Sequence, residues 1–354
     1  MRMTRFEIDS DIRTASTLPS EFYLKPQWYE RSLEAVFARS WQFVCREDEV
    51  SNLFPLTLLE GSLDEPVLAV REGEEVRCVS NVCTHRGMIL VEEPCQGDLI
   101  RCGYHGRRFS LDGKFLSMPE FEDAEGFPAA KDDLAEVPSG VWNGFVFAGI
   151  DPAAPLEEYL GPLGAAAEGF DFEGLRLEGT RSYEIDAHWA LYCENYLEGF
   201  HIPYVHPELN KIVEYSTYAT ELFSRSSLQT GRTGDRDSAG RPPFAHGVEA
   251  FYYFVFPNTM LNLYPWGVSV NVVLPKAPSE TEMHYFTYVC DESRVGEGAG
   301  GDLDTVEMQD QAVVRSVQKG IRSRFYDRGR YSPSRETGTH HFHRLIASAL
   351  GEFG

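Results

Sequence analysis

This chain of 354 residues contains no long apolar run, and its basic residues are far fewer than its acidic ones. No apolar run is long enough to predict a membrane-spanning helix. The first residues, MRMTRFEIDSDIRTAS, contain no apolar segment of a signal peptide, so we expect a cytoplasmic protein. Lys and Arg number 32 against 55 Asp and Glu, giving a net charge of −23. That charge disfavours both nucleic acid and anionic membranes as partners.

Cysteine is also scarce, with seven residues in the whole chain. An odd count in a long sequence without a leader is not the pattern of a disulfide framework. We therefore expect reduced thiols, some of which are free to bind a metal.

Apolar residues make up 42% of the chain, which permits a buried core, and the length fits two domains. Short apolar runs alternate with Gly, Pro, Asn and Asp turns from residue 41 to 148, which predicts a small all-β unit. A linker is predicted at 151–164. Helices are predicted at 26–40 and 303–324. Antiparallel strands are predicted at 251–256, 259–274 and 282–290, and long loops at 224–247 and 291–302. The fold class is therefore α+β.

Two short Cys-His motifs stand in the predicted β unit. Cys83-Thr84-His85 is followed, after a gap of sixteen residues, by Cys102-Gly103-Tyr104-His105. Two thiolates and two imidazoles are the ligand set of a Rieske [2Fe–2S] cluster, and neighbouring glycines allow the tight turns that such a cluster needs. A structural zinc site uses the same residue types, but at Cys-x2–4-Cys and His-x3–5-His spacing. Scattered core residues are the other alternative.

A second group of chemically active residues lies at 188–206. Glu194, Glu198 and His201 would share one face of a continuous helix. His206 would point away from His201 on such a helix, but Pro203 disrupts it, and a bend there could direct both imidazoles to one point.

The helix predicted at 303–324 offers a third ligand. Asp310 falls on its apolar stripe, formed by Val306, Val313, Val314, Val317 and Ile321. A carboxylate on a core-facing stripe is costly unless it is paired or bound to metal. Two histidines and one carboxylate form the facial triad of non-haem iron oxygenases. Glu307 and Asp304 turn away from the stripe and are weaker candidates, and a structural ion pair of Asp310 remains the alternative.

These motifs resemble the α subunit of the Rieske non-haem iron oxygenases. The resemblance covers the chain from Trp41 to about His343. It includes C-x-H-x(15–17)-C-x2-H, E-N-Y-x-E-x-x-H-x4-H, and an Asp eight residues before Gln318-Lys319-Gly320. One departure is His188-Trp189-Ala190, where many members have Asn-Trp-Lys, and we expect His188 to be packed or hydrogen-bonded, not a metal ligand.

The resemblance implies a Rieske domain over 41–150 and a catalytic domain over 151–354. The latter would be a helix-on-antiparallel-sheet fold of the helix-grip, START-like type, with residues 1–40 packed on it. It implies a [2Fe–2S] cluster, a mononuclear Fe(II), O2, and NAD(P)H acting through a separate flavin- or ferredoxin-type reductase. It further implies a homotrimer or a hexamer of two trimers, in which Glu198 links His201 to the partner subunit's His105.

Within that family the chain looks closest to the choline and betaine oxygenases, which act on quaternary ammonium compounds. We therefore expect hydroxylation of a small quaternary ammonium or N-methyl substrate. An aromatic cage would suit such a cation, and the candidate substrate contacts are Asn195, Tyr264 and Trp266. The alternative substrate is an aromatic compound. Alternatives of another class are a Rieske electron carrier without oxygenase activity and a zinc-stabilised binding module. His340, His341 and His343 are expected to be structural.

Overall fold

The computed structural model describes residues 6–212, 215–232, 248–295 and 303–352. Within it the chain forms two compact units. Ala38–Leu156 makes up one unit, and the described residues on either side of that segment make up the other. The residues at the beginning of the described chain therefore belong to the same unit as its C-terminal half.

Ala38–Leu156 is an all-β unit, as predicted. Turn residues interrupt its apolar runs every few positions, so the strands are short and pair in three small antiparallel sheets with the orders β1-β10-β9, β2-β3-β4-β8 and β5-β6-β7. The strands are β1 Gln42–Arg46, β2 Leu53–Leu58, β3 Glu65–Glu72, β4 Glu75–Ser80, β5 Ile100–Arg101, β6 Arg108–Phe109, β7 Phe115–Ser117, β8 Glu136–Val137, β9 Ser139–Trp142 and β10 Phe145–Ala148. A core that includes Leu68, Val79 and Phe109 lies beneath the two Cys-His motifs.

The second unit is built on one seven-stranded antiparallel sheet with the order β11-β17-β16-β15-β14-β13-β12. Its strands are β11 Arg176–Ile185, β12 Ala219–Leu222, β13 Ser226–Arg232, β14 Val248–Val255, β15 Thr259–Tyr264, β16 Gly267–Ala277 and β17 Glu280–Val289. Strands β15 and β16 lie in the interior of the sheet and are buried along most of their length.

The helices are α1 Ser20–Leu24, α2 Pro26–Ser32, α3 Glu157–Ala166, α4 Trp189–Tyr196, α5 Ile202–Val205, α6 Leu209–Ile212, α7 Leu303–Gly320 and α8 Thr337–Glu352. Helix α4 packs on β16 and on α7. This arrangement confirms the predicted α+β class, with helices on an antiparallel sheet. None of the helices in the described ranges combines the length and the apolar character needed to cross a membrane.

Several predicted elements have different bounds. The single strand predicted at 259–274 is wrong, because Tyr264 pairs with Gly267 in a tight hairpin that separates β15 from β16. The helix predicted at 303–324 ends at Gly320. In place of the single helix predicted at 26–40, the α-helix ends at Ser32 and is followed by a π-helical turn, Leu33–Phe37.

Two segments predicted to lack regular structure contain it. The linker predicted at 151–164 runs into α3, which begins at Glu157 and buries Tyr159, Leu160 and Leu163. Strand β13 occupies the first part of the loop predicted at 224–247, and residues 233–247 lie outside the described residues. The loop predicted at 291–302 contains a short 3-10 turn, Glu292–Arg294, while residues 296–302 lie outside the described residues.

Gly267 is expected to be essential for the hairpin between β15 and β16. A Cβ added there would collide with the carbonyl oxygen of Tyr288 on β17. We expect Gly267→Ala to destabilise the unit by about 3 kcal/mol and to lower its melting temperature in calorimetry by roughly 6–12 °C. Gly179→Ala is the matched control, because nothing lies within 4 Å of a Cβ at that position of β11. Equal melting temperatures for both variants would contradict the prediction.

Candidate metal centres and substrate cavity

Two turns of the β unit bring the Cys-His residues to one place. Cys83 and Cys102 are buried, and Cys102 is close enough to Cys83 to contribute to its raised pKa. The His85 and His105 rings are half-buried, and their Nδ1 atoms lie 3.2 Å apart. The structure therefore pairs the two cysteines with each other and the two histidines with each other, at the ends of the same two turns.

The two turns share one backbone geometry. The Gly87 N–H donates to the Cys83 carbonyl at 2.9 Å, and the Gly106 N–H donates to the Cys102 carbonyl at 3.1 Å. Both glycines have a positive φ, +72° and +75°, which side chains rarely adopt. The glycine that follows each motif therefore lets the chain turn back and direct Cys and His to the same side.

The chemistry of these donors fits a cluster. Burial is the main cause that raises the pKa of the Cys83 thiol. Burial, followed by the neighbouring His105, lowers the pKa of the His85 imidazole. The thiol therefore keeps its proton until a metal replaces it, and the imidazole stays neutral with a lone pair available. A set of two cysteines and two histidines suits the two irons of a [2Fe–2S] cluster.

The continuous helix predicted across Glu194, Glu198 and His201 is wrong. Helix α4 ends at Tyr196, and α5 begins only at Ile202. His201 and His206 are the residues that flank α5, and their ring centroids lie 5.1 Å apart. Pro203 lies in the first turn of α5, where its missing N–H leaves no hydrogen bond unmade. Helix α5 stops before His206, whose φ of −119° and ψ of 70° lie outside the helical region. The end of this short helix, and not a bend at Pro203, therefore redirects His206 toward His201.

Asp310 reaches both imidazoles from α7. Its Oδ1 lies 3.0 Å from Nε2 of His206 and 3.6 Å from Nε2 of His201. One ligand atom from each of the three residues lies within 4.8 Å of the others. Packing of α7 against α4 brings a residue more than a hundred positions away next to the two histidines.

The face of α7 is not the apolar stripe that the sequence indicated. Val317 is exposed, whereas Glu307, predicted to turn away, is only 7% exposed. Asp304 does lie outside and pairs with Arg181. The interior side of α7 borders a cavity as well as the core, so polar residues occupy part of it.

The imidazoles are oriented so that their metal-binding nitrogens face Asp310. Nδ1–H of His201 donates to Oε1 of Glu198 at 2.7 Å, and Nδ1–H of His206 donates to Oε1 of Gln309 at 2.7 Å. Each Nε2 then carries a lone pair directed at a carboxylate oxygen, which is repulsive unless a cation stands between them. Burial is the largest single cause and lowers the pKa of His206, but Asp310, Gln309 and Glu198 together raise that pKa above its usual value. The donor set therefore fits a metal cation.

Gln309 is a functional residue that the sequence did not reveal. Its amide orients a histidine that lies 103 positions earlier. Its position next to Asp310 in the sequence is the one indication of this role. Metal-binding histidines almost always donate their second N–H to a neighbouring acceptor, and the side chain next to a metal ligand is a candidate for that acceptor.

A cavity of about 130 Å³ adjoins His201, His206 and Asp310. Its wall contains six tyrosines, which are Tyr192, Tyr196, Tyr218, Tyr252, Tyr264 and Tyr285. Burial is the main cause that raises the pKa well above 10 for Tyr192, Tyr196, Tyr218, Tyr264 and Tyr285. These phenols are therefore neutral at physiological pH, and the wall offers ring faces and hydroxyl groups.

Two of the three candidate substrate contacts line this cavity. Asn195 and Tyr264 belong to the wall, whereas Trp266 is not among the described residues that form it. Trp266 is buried and stacks on Tyr264, with ring centroids 5.1 Å apart and planes 13° from parallel. The predicted strand alternation fails because Pro265 and Trp266 form the hairpin turn. Trp266 therefore supports Tyr264 from behind.

The remaining histidines have structural contacts. His188 is fully buried, and its Nδ1 accepts the Ala190 N–H at the start of α4. Burial lowers the pKa of His188 to about 3, so the ring is neutral. On α8, His343 lies 3.0 Å from Glu194, which therefore turns away from the cavity and does not share a face with Glu198.

Comparison with protein families gives two matches. A family model described as the Rieske [2Fe-2S] domain matches residues 40–128, and a model described as the ring hydroxylating alpha subunit (catalytic domain) matches residues 172–352. Chloroplastic choline monooxygenase of Arabidopsis thaliana is 31% identical, over 97% of this chain and 85% of the relative. The carnitine monooxygenase oxygenase subunit of Escherichia coli (strain K12) is 30% identical, over 95% of this chain and 94% of the relative.

Solved structures show the same fold. A quaternary ammonium Rieske monooxygenase in complex with L-carnitine has a TM-score of 0.77 at 26% identity, and covers 96% of this chain and 96% of its own. Naphthalene 1,2-dioxygenase from Rhodococcus sp. has a TM-score of 0.74 at 19% identity, over 95% of each chain, and shares the fold.

Proposed function

Because the chain belongs to the ring-hydroxylating α-subunit family of Rieske oxygenases, we propose that it hydroxylates a small quaternary ammonium or N-methyl compound. Members of this family are terminal oxygenase components that bind a Rieske [2Fe–2S] cluster and a mononuclear iron, and they use O2 with electrons from a reductase. The match to the catalytic domain excludes the alternatives of a short electron carrier and a zinc-stabilised binding module.

The ligands of both metal groups are part of the proposal. The proposed ligands of the cluster are Cys83, His85, Cys102 and His105. The proposed ligands of the mononuclear iron are His201, His206 and Asp310, and iron held there supplies the activation of O2. The nitrogen and oxygen donors that face one another across the latter site are the support for this assignment.

One observation carries the choice of substrate: the cavity beside His201, His206 and Asp310 has a wall rich in tyrosine. Ring faces attract a quaternary ammonium ion, which has no proton to donate in a hydrogen bond. Two of the similar proteins are named for choline and carnitine, both of which contain a trimethylammonium group. An aromatic substrate is the second candidate, because ring faces also stack on other rings.

The reaction consumes one O2, two electrons and two protons, and gives water and a hydroxylated carbon. Hydroxylation of an N-methyl group gives a carbinol that breaks down to formaldehyde and the demethylated amine. Hydroxylation of the alcohol carbon of choline gives an aldehyde hydrate instead. The neutral phenols of the wall can bind a hydroxyl group of the substrate without providing a charge that would compete with its cation.

The expected result of a substrate screen follows. The iron-loaded protein with a reductase and NAD(P)H is supplied with choline, glycine betaine, carnitine, benzoate and other aromatic acids, and O2 uptake and carbonyl products are measured. We expect coupled O2 uptake with at least one quaternary ammonium compound and none with the aromatic acids. Turnover of an aromatic acid alone, by protein with its full iron content, would overturn the proposed substrate.

We further propose the partners that the family resemblance implies. A flavin- or ferredoxin-type reductase supplies the electrons, and the chain forms a homotrimer or a hexamer of two trimers. Glu198, which is hydrogen-bonded to His201, would contact the partner subunit's His105 in that assembly. A cytoplasmic location is supported by the seven unbridged cysteines, of which Cys95 is exposed.

A further inference from the structure

One buried carboxylate in the cavity wall belongs to neither proposed metal site. Glu307 lies three residues before Asp310 on α7 and is only 7% exposed. Its Oε2 accepts hydrogen bonds from the hydroxyl groups of Tyr192 and Tyr285, and its Oε1 accepts from Nε2 of Gln311 at 2.7 Å. Three donors from α4, β17 and α7 therefore fix this carboxylate in one orientation.

All three of these donors are neutral. The pKa of each phenol is raised, mainly by burial, so neither ionises near physiological pH. The two hydroxyl oxygens are 2.6 Å apart, which places them as a pair around one carboxylate oxygen. Neutral donors stabilise the position of a carboxylate but leave its negative charge without a counter-ion.

The other charged side chains of the described wall include no Lys or Arg that could act as a counter-ion for Glu307. Glu198 and Asp310 are also acidic, and the basic groups among the described wall residues are the imidazoles of His201 and His206. Burial is the main cause that raises the pKa of Glu307. A cation that enters the cavity would therefore stabilise the ionised carboxylate and be stabilised by it.

We propose that Glu307 is the counter-charge for the ammonium group of the substrate, and that it selects a cation without a carboxylate, such as choline. This inference rests on the proposed function, because it assigns a residue to the same cavity. Tyr192 and Tyr285 act as positioning residues that hold the carboxylate against the cavity.

A zwitterionic substrate would meet a less favourable wall. Glycine betaine and carnitine carry a carboxylate of their own, which Glu307 would repel, and the described wall offers no Lys or Arg to pair with it. An amino alcohol replaces that carboxylate with a hydroxyl group, which Asn195 or a phenol can bind. The charge of the wall therefore favours choline over the two carboxylated amines.

The test measures equilibrium binding to the iron-loaded protein by calorimetry. The ligands are choline, its uncharged carbon isostere 3,3-dimethyl-1-butanol, and glycine betaine. The variants are Glu307→Gln, which keeps the size of the side chain, and Glu307→Asp, which keeps its charge. Asp304→Asn is the matched control, because Asp304 lies on the same helix but is exposed and paired with Arg181.

Wild-type protein is expected to bind choline more tightly than glycine betaine. Glu307→Gln is expected to weaken choline binding about 10- to 100-fold, as for loss of a charged partner, and to leave binding of the isostere within about threefold. Glu307→Asp should keep more of the preference for choline over the isostere than Glu307→Gln does. Asp304→Asn should keep the full wild-type preference. Equal losses for choline and the isostere would assign Glu307 a packing role and overturn the inference, as would tighter binding of glycine betaine. Absence of binding for every quaternary ammonium compound would overturn the proposed function as well.

Discussion

Replacement of Asp310 by alanine is expected to remove the mononuclear iron and to leave the [2Fe–2S] cluster in place. Iron should fall from about three to about two atoms per chain, because the cluster needs two and the second site needs one. The visible spectrum of the cluster should not change, since its proposed ligands lie in the other compact unit. Turnover should fall by at least about 100-fold, because loss of a metal ligand should cost more than loss of a residue that only hydrogen-bonds to a ligand.

Asp304→Asn is the control for this variant. Asp304 lies in the first turn of the same helix, but its side chain is 64% exposed, so its replacement should affect neither iron content nor turnover. An Asp310→Ala protein that retains three irons per chain would show that the carboxylate is a structural ion-pair partner of the histidines and not a ligand.

Glu198→Gln is expected to keep both metal groups and to lose nearly all turnover. Glu198 accepts the Nδ1–H of His201 and also the backbone N–H groups of Phe200 and His201, so it is held within the turn before α5. Glutamine can keep a hydrogen bond to the ring but removes the negative charge that increases ring basicity and that would attract the partner subunit's His105. A decrease of about 100-fold or more in turnover, at unchanged iron content and cluster absorbance, is the expected measurement.

A mixed oligomer can separate the bridging role from a local one. Glu198→Gln retains its cluster, and Cys102→Ser retains Glu198 but lacks a cluster, so each variant alone should be inactive. If electrons cross between subunits, co-expression of the two places an intact cluster beside an intact Glu198 in a neighbouring subunit, and activity should return. Co-expression that yields no activity, in oligomers shown to contain both chains, would exclude the proposed bridge.

The chemistry of the site could be predicted from the sequence better than its geometry. The two Cys-His motifs are local, and a glycine beside each motif already indicates the turn that directs the side chains. The sequence favours Asp310 because it falls on an apolar stripe, yet Val317 of that stripe is exposed and Glu307 is buried. The selection depended on helical periodicity, which cannot distinguish a core from a cavity that contains polar groups.

The segment from Glu194 to His206 shows why local geometry was harder. A continuous helix satisfied the spacing of its polar residues, but tertiary contacts end α4 at Tyr196. Glu194 instead bonds to His343 on α8, a residue 149 positions away in the chain. Contacts of that sequence separation leave no periodic signal in a single sequence, so the end of the helix could not be placed.

The cavity wall was the least predictable part of the molecule. Strand β14 contains four consecutive aromatic residues, at 251–254, but only Tyr252 of them is among the described wall residues. The other five tyrosines come from α4, from the segment before β12, from β15 and from β17. Which aromatic side chains face a shared space depends on how a helix and a sheet pack, and the composition of any one segment does not contain that information.

Helix α7 places Glu307 and Asp310 within a single turn, so the backbone fixes the separation of their Cα atoms. Three residues of α-helix advance roughly 4.5 Å along the axis, a span that no loop movement can lengthen or shorten. If Asp310 binds the iron and Glu307 binds the ammonium group, their fixed separation determines which carbon of the substrate lies next to the iron. That carbon is selected by its distance from the nitrogen. The position of the oxidised carbon would then depend on the spacing of two residues on one helix. Replacement of the residue at position 307 is expected to change that position without altering the residues that bind iron.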